Sequence, residues 1–331
     1  MVRGLCTLGL LWGTMLLGAL VPAYDEEVAA DGSQPFKTVQ AAIDDLVKKG
    51  PASGGRAWRI HLHPGVYREQ VRIPAEAGPV SLIGDHAAQT KIVFALSAAQ
   101  RKPDGTFVGT FNSCTFFVGA NQCLVEGVTL QNDATEKAQA VAVRVDGDRV
   151  VFRDCHFLGR QDTLLVNQGR HYFEHCEITG AVDFIFGAAT AYFNHCRIIV
   201  SDTGYITAPS TPQNSPWGLV FVGCEVTSTQ ESAKVYLGRP WRDYGATAFI
   251  NCQLGTCVRP EGWHDWRVVE RQQTSRFIEV GCTGPGAVQT QRVAWMKSLK
   301  PAEAAQLTPA KVLAGKDGWV PEVQPSSLQS R

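Results

Sequence analysis

The sequence predicts an all-β fold, a single-stranded right-handed parallel β-helix closed by short capping helices. Three observations lead there. An apolar residue followed three positions later by a small one recurs as Leu124/Gly127, Phe152/Cys155, Phe173/Cys176, Phe193/Cys196, Phe221/Cys224 and Phe249/Cys252, and the small residues lie 28, 21, 20, 28 and 28 positions apart. Each unit holds a short alternating segment, such as Tyr172-Phe173-Glu174-His175-Cys176-Glu177-Ile178, with the period of a half-buried strand. No Ser/Gly-rich linker divides the chain. Coils of this kind bury their inward side chains only by stacking on the next coil, and turns of variable length loop out without disturbing the strands.

The elements follow in chain order. Arg3 precedes an apolar run over residues 5–21, then Val21-Pro22-Ala23 and the acidic Asp25-Glu26-Glu27, which reads as a signal peptide over residues 1–23. No later segment reads as transmembrane, so no stable membrane insertion is expected after cleavage, and the protein is expected to be secreted or periplasmic. Phe36, Val39, Ile43, Leu46 and Val47 have helical spacing behind the polar Asp31-Gly32-Ser33 and predict an amphipathic helix over the open end of the stack. Beyond Trp263 the strand rhythm weakens. Two helical turns are predicted on the outside of the stack: 302–307 after Pro301, and 309–313 with Thr308 as N-cap and Gly315 past the end.

Composition narrows the function. The 331 residues are 44% hydrophobic and 19% charged, with 31 Lys+Arg against 31 Asp+Glu, which disfavours disorder and a nucleic-acid partner. Of the 10 cysteines, loss of Cys6 with the signal leaves nine, an odd number. Most are explained as small inward residues of a ladder; Cys176 and Cys196, one short coil apart, are the candidates for a disulfide, since neighbouring rungs are about 4.8 Å apart. Without a Cys-x-x-Cys pair or a compact His/Cys cluster, no metal is expected. His171, His175 and His195 flank strands without a triad pattern and are expected at the surface or rim.

Residues with one offset from the small position stack on one face. Asp162 lies seven residues after Cys155 and Asp183 seven after Cys176. Two neighbouring carboxylates cannot both ionise cheaply, so one holds its proton while the other stays charged, which makes an acid beside a nucleophile. The same residues could instead cap turns through backbone amides.

Five segments resemble the signature motifs of the pectin methylesterase (pectinesterase) family: Gly65-Val66-Tyr67-Arg68-Glu69, Gln139-Ala140-Val141, Gln161-Asp162-Thr163-Leu164, Asp183-Phe184-Ile185-Phe186-Gly187 and Leu237-Gly238-Arg239-Pro240-Trp241. The resemblance spans residues 28–321. It implies a pectin-lyase-like solenoid over residues 24–331 with its site in an external cleft, and a hydrolase that removes methyl esters from polygalacturonate and releases methanol. It assigns Asp183 as nucleophile, Asp162 as acid and then base, Gln139 and Gln161 as oxyanion donors, Arg239 as the cation orienting Asp183, and Trp241 and Thr110 as substrate contacts. The substrate is expected to be methylated homogalacturonan, the enzyme a monomer without cofactor. Gly65, Tyr67 and Glu69 read as structural. Cys114 stands where the family is expected to carry a small residue such as alanine.

Three alternatives remain on the sequence: a β-helix glycoside hydrolase with a close carboxylate pair, an esterase or thioesterase of another substrate, and a non-catalytic polysaccharide-binding β-helix. A serine esterase is disfavoured, because no Gly-x-Ser-x-Gly elbow is present.

Overall fold

The computed structural model describes residues 24–321. The expected signal peptide lies outside the described residues. Among the described residues no helix is long and apolar enough to cross a membrane.

Every strand pairing between named strands is parallel, and the strands form a ten-stranded and a thirteen-stranded sheet. The ten-stranded sheet adds one strand per coil in chain order from Glu26–Val28 to Arg276–Val280. The thirteen-stranded sheet has two limbs, joined where the long strands Glu177–Gly187 and Arg197–Pro209 run around a corner and take part in both. This is the coiled prism of a parallel β-helix.

Inward positions form ladders. Phe152, Phe173, Phe193, Phe221 and Phe249 are fully buried, with successive ring centroids 5.0, 4.5, 4.4 and 4.5 Å apart and planes within 12° of parallel. Rung spacing alone brings each ring onto the next. Cys155, Cys176, Cys196, Cys224 and Cys252 form a second ladder, always just after a turn residue with positive φ: Asp154, His175, His195, Gly223 and Asn251. Such a turn admits glycine and tolerates Asn, Asp and His, whose short polar side chains suit the left-handed region.

Two expectations need correcting. The strand Leu124–Glu126 pairs Val125, not Leu124, with Phe152, so Val128 holds the ladder place and Gly127 the turn place. The expected frame was one residue early because a turn glycine mimics a small ladder residue. Cys176 and Cys196 form no disulfide; both are free thiols. Each Sγ donates along the stack instead, Cys176 to the carbonyls of Phe152 and Glu174 and Cys196 to those of Phe173 and Asn194.

The helices fall close to expectation. Val39–Lys49 is capped by Thr38, whose side chain accepts from the Ala41 amide, and it buries Val39, Ala42, Ile43 and Leu46 against the first coils. Its start is also held by Glu69, whose two carboxylate oxygens accept from the amides of Val39 and Gln40 at 2.8 and 3.0 Å. Tyr67 donates its hydroxyl to the carbonyls of Val28 and His63, which bears out the structural reading of that motif. The turns Pro301–Ala304 and Pro309–Val312 are shorter than expected and place Leu307, Val312 and Leu313 on the outer face beside Tyr172 and Tyr192.

Candidate active site

The site lies on the outer face of the thirteen-stranded sheet, where coils turn a corner. Asp162 and Asp183 both have left-handed backbone, with φ of 64° and 50°. Gln161 bridges Val182 in parallel, and the Asp162 amide donates to the Val182 carbonyl at 3.0 Å, so the two aspartates occupy equivalent places on consecutive turns. Their backbones are therefore about 4.8 Å apart. One turn earlier the Ala140 amide donates to the Gln161 carbonyl at 3.1 Å, which aligns Gln139 with Gln161. The Gln139 carbonyl accepts from Ala98, whose own carbonyl accepts from Gly109, tying the Thr110–Asn112 turn to this corner.

Arg239 arrives from the strand Val235–Gly238 two coils further on, its amide donating to the Thr207 carbonyl at 2.9 Å. A side chain at Gly238 would meet Thr207 Oγ1 at 2.1 Å, so glycine is what lets this strand lie close enough. The Arg239 guanidinium grips Asp183 bidentately, Nε to Oδ1 at 2.8 Å and Nη2 to Oδ2 at 2.6 Å. Its plane is held between Tyr205 and Trp266, whose ring centroids lie 3.7 and 3.8 Å from the guanidinium carbon. The arginine can neither swing away nor rotate out of the plane of the carboxylate.

The two carboxyls are buried but electrostatically unequal. Burial pushes the Asp162 carboxyl up to about 8; the negative Asp183 adds to this, and Arg239 works against it. Burial also raises Asp183, and there the two hydrogen bonds and charge of Arg239 oppose it directly. Between the two pKa values the pair holds one proton, on Asp162, and one charge, on Asp183. A protonated carboxyl thus stands beside a clamped, ionised carboxylate.

Around the pair lies an apolar floor of Cys114, Val141, Leu165, Phe186 and Ala208, flanked by Phe117, Trp241 and Trp266. Trp241 is half-exposed, meets Phe186 edge-on at 6.0 Å, and has the Arg242 guanidinium 4.9 Å from its ring centroid. Cys114 is buried and fills the floor as a small apolar group. The structure thus brings Asp162, Asp183, Gln139, Gln161 and Arg239 to one corner, with Trp241 on the adjoining floor and Thr110 hydrogen-bonded through its loop.

Sequence reasoning missed Tyr205 and Trp266. Tyr205 projects from a long strand with no motif, and Trp266 comes from an irregular loop beyond the last clear repeat; an unassigned tryptophan three residues after the buried Trp263 was the available signal. His171 is not a rim residue. It is fully buried, its Nε2 is 3.0 Å from the Gly147 carbonyl, and burial lowers its pKa to about 4. A surface cavity of about 600 Å³ lies elsewhere, along the turns that carry His175 and His195, and includes neither aspartate.

A parallel β-helix whose flank carries a clamped carboxylate, a protonated partner and an apolar floor has the equipment of a hydrolase that works through paired carboxyl groups. The family model described as Pectinesterase matches residues 25–316, and the chain belongs to the pectinesterase family. Pectinesterase 31 of Arabidopsis thaliana is 36% identical over 285 residues, which is 84% of this chain and 88% of that protein. The chain spans about half the length of other curated plant relatives that it matches. Among solved structures, pectin methylesterase from carrot superposes with a TM-score of 0.80 at 32% identity, covering 90% of this chain and 96% of that one. A pectin methylesterase mutant in complex with hexasaccharide IV gives 0.78 at 30% identity, covering 92% and 100%.

Proposed function

We propose that the protein is a pectin methylesterase that hydrolyses the methyl esters of polygalacturonate to pectate and methanol, with Asp183 as nucleophile. The observation that carries this reading is the asymmetric pair: Asp183 is oriented and kept charged by Arg239, while Asp162 retains its proton at neutral pH.

An Asp183 oxygen attacks the ester carbonyl, and the carbonyl electron pair moves onto oxygen. Gln139 and Gln161, aligned on consecutive turns, present side-chain amides as donors to that oxyanion; in other enzymes the loss of one such donor costs on the order of 10² to 10³ in rate. The C–O bond to methoxide then breaks, Asp162 gives it the proton, and methanol leaves an anhydride between Asp183 and galacturonate. Asp162, now ionised, takes a proton from water. The resulting hydroxide attacks the galacturonate carbonyl, the anhydride opens, and Asp183 is regenerated beside a re-protonated Asp162. Every step is acyl transfer or proton transfer between groups of the chain, substrate and water.

The apolar floor with half-exposed Trp241 suits sugar-ring faces, and the anchored Thr110 turn borders the Gln139 corner. Residues 24–331 act as one catalytic unit, released by removal of residues 1–23 into the periplasm or medium. The helix Val39–Lys49 covers the N-terminal end of the stack and shields that edge from pairing with a second copy, in keeping with a monomer.

The test is a paired assay of methanol and new reducing ends on highly methylated pectin, with Asp183→Asn alongside. Methanol without reducing ends, lost in a variant that still folds and binds pectin, is expected. Reducing ends would transfer the site to glycosidic cleavage, and unimpaired methanol release by the variant would remove Asp183 as nucleophile.

A further inference from the structure

At the start of the stack, far along the chain from the catalytic corner, the parallel register creates a cluster that no single stretch of sequence contains. The strand Glu26–Val28 pairs with Trp58–Leu62 so that Glu27 stands opposite His61. Val28, Ile60 and Leu62 point inward and are fully buried. The alternate residues Glu27, His61 and His63 therefore share the outer face, two residues apart on one strand and one rung apart between strands. Glu27 Oε2 is 2.8 Å from His63 Nε2 and 3.9 Å from His61 Nδ1, and one donor atom from each of the three residues falls within 4.8 Å of the others.

The surroundings are built for a ligand. His61 Nε2 is 2.7 Å from Asp85 Oδ1 on the next coil. With that nitrogen donating to the carboxylate, the lone pair of His61 is on Nδ1, the atom that faces Glu27. A carboxylate that orients a histidine through its other nitrogen is the usual support of a metal ligand and raises its basicity. Tyr24 stacks on the same imidazole, centroids 4.5 Å apart and planes 13° from parallel, and fixes its orientation. The side chains of His61, His63 and Glu27 are 13%, 29% and 41% exposed, so an ion can enter and water can complete its shell. One carboxylate and two imidazoles, with water in the fourth place, match a borderline divalent cation in tetrahedral geometry, and not calcium or magnesium, which take oxygen donors.

We infer that Glu27, His61 and His63, with Asp85 as the orienting partner of His61, form a zinc-binding site that fastens the first strand of the stack to the second. The site takes no part in ester hydrolysis. It belongs to the ten-stranded sheet, whereas the aspartates stand at a corner of the other, and its effect is on the anchoring of the N-terminal strand.

The experiment uses untagged mature protein freed of metal with a chelator and titrated calorimetrically with zinc chloride. Saturable uptake of one equivalent and a zinc-dependent rise of several degrees in Tm are expected, with methanol release unchanged. His61→Ala combined with His63→Ala should abolish both effects; Asp85→Asn should weaken zinc binding about ten- to a hundredfold. Should the double variant fold poorly, Glu27→Gln removes one ligand with little change of shape and should weaken uptake at least tenfold. Cobalt in place of zinc should give visible d–d bands without a near-ultraviolet thiolate band. No saturable uptake, uptake undiminished in the variants, or a thiolate band that moves the ion to the cysteines would each overturn the assignment.

Discussion

Replacing Arg239 by lysine keeps a positive charge beside Asp183 and removes the fork. The guanidinium now donates through Nε and Nη2 at 2.8 and 2.6 Å while lying between the rings of Tyr205 and Trp266. An ammonium offers one such contact at a time and has no plane to hold. Loss of one hydrogen bond to a charged group costs about 1.5–3 kcal/mol, which at about 1.4 kcal/mol per decade predicts a ten- to hundredfold fall in kcat/KM. The pH profile should move as well. Arg239 opposes the upward push of burial on Asp183, so weakening the clamp raises that carboxyl further, and the acid limb of kcat/KM shifts to higher pH. Initial rates of methanol release on highly methylated pectin, measured across the pH range with a coupled alcohol oxidase, give both numbers. Arg239→Lys within about twofold of the parent, with an unmoved acid limb, would refute the role given to the clamp.

Three further outcomes follow from the same geometry. In the proposed mechanism Asp162 is protonated when the substrate is attacked, and its carboxyl is raised to about 8, so kcat/KM should decline as pH rises through that value; a profile flat well beyond it would exclude Asp162 as the acid. The same shift costs stability. In the unfolded chain Asp162 ionises near its ordinary 3.8, so the cost is absent below that pH, grows by about 1.4 kcal/mol per unit as pH rises, and is complete above about 8. Asp162→Asn should therefore melt higher than the parent at pH 8, by the equivalent of a few kcal/mol, with the gap closing towards pH 4; a constant or reversed gap would contradict this. Phe193 is stacked between Phe173 and Phe221 at 4.5 and 4.4 Å and fully buried, so Phe193→Ala should cost about 3–5 kcal/mol in urea unfolding. A loss below about 1 kcal/mol would show that the aromatic ladder is not where the stack is held.

The inward face was legible because stacking forces similar residues into the same place on every coil, as the phenylalanines and cysteines show. The aspartate pair was legible for the same reason: the path from Cys155 to Asp162 and from Cys176 to Asp183 has one length, so equal offsets meant equal places. What escaped lies where the coil is not repeated. Gly127 passed for a ladder residue because a left-handed turn selects smallness as strongly as a crowded interior does. His171 was misplaced because its burial comes from a neighbouring turn, through Gly147, and not from its own strand. The disulfide expected of Cys176 and Cys196 rested on rung spacing alone, whereas the direction of each thiol is set by the carbonyls it meets. Trp266, Tyr205 and the cluster around His61 depend on contacts between separated segments, for which the local pattern carries no period.

Since Asp162 and Asp183 are joined through the backbone, by the amide of one and the carbonyl before the other, the spacing of the two residues proposed as acid and nucleophile is inherited from the sheet. The backbone places can change only in whole steps. One step of about 4.8 Å lets a carboxylate attack directly; two steps, about 9.6 Å, would leave room for a water molecule between the groups. Ala140 already occupies the equivalent place one coil before Asp162. An aspartate moved there would stand two rungs from Asp183 instead of one, so that in this scaffold the spacing of paired side chains is counted in coils.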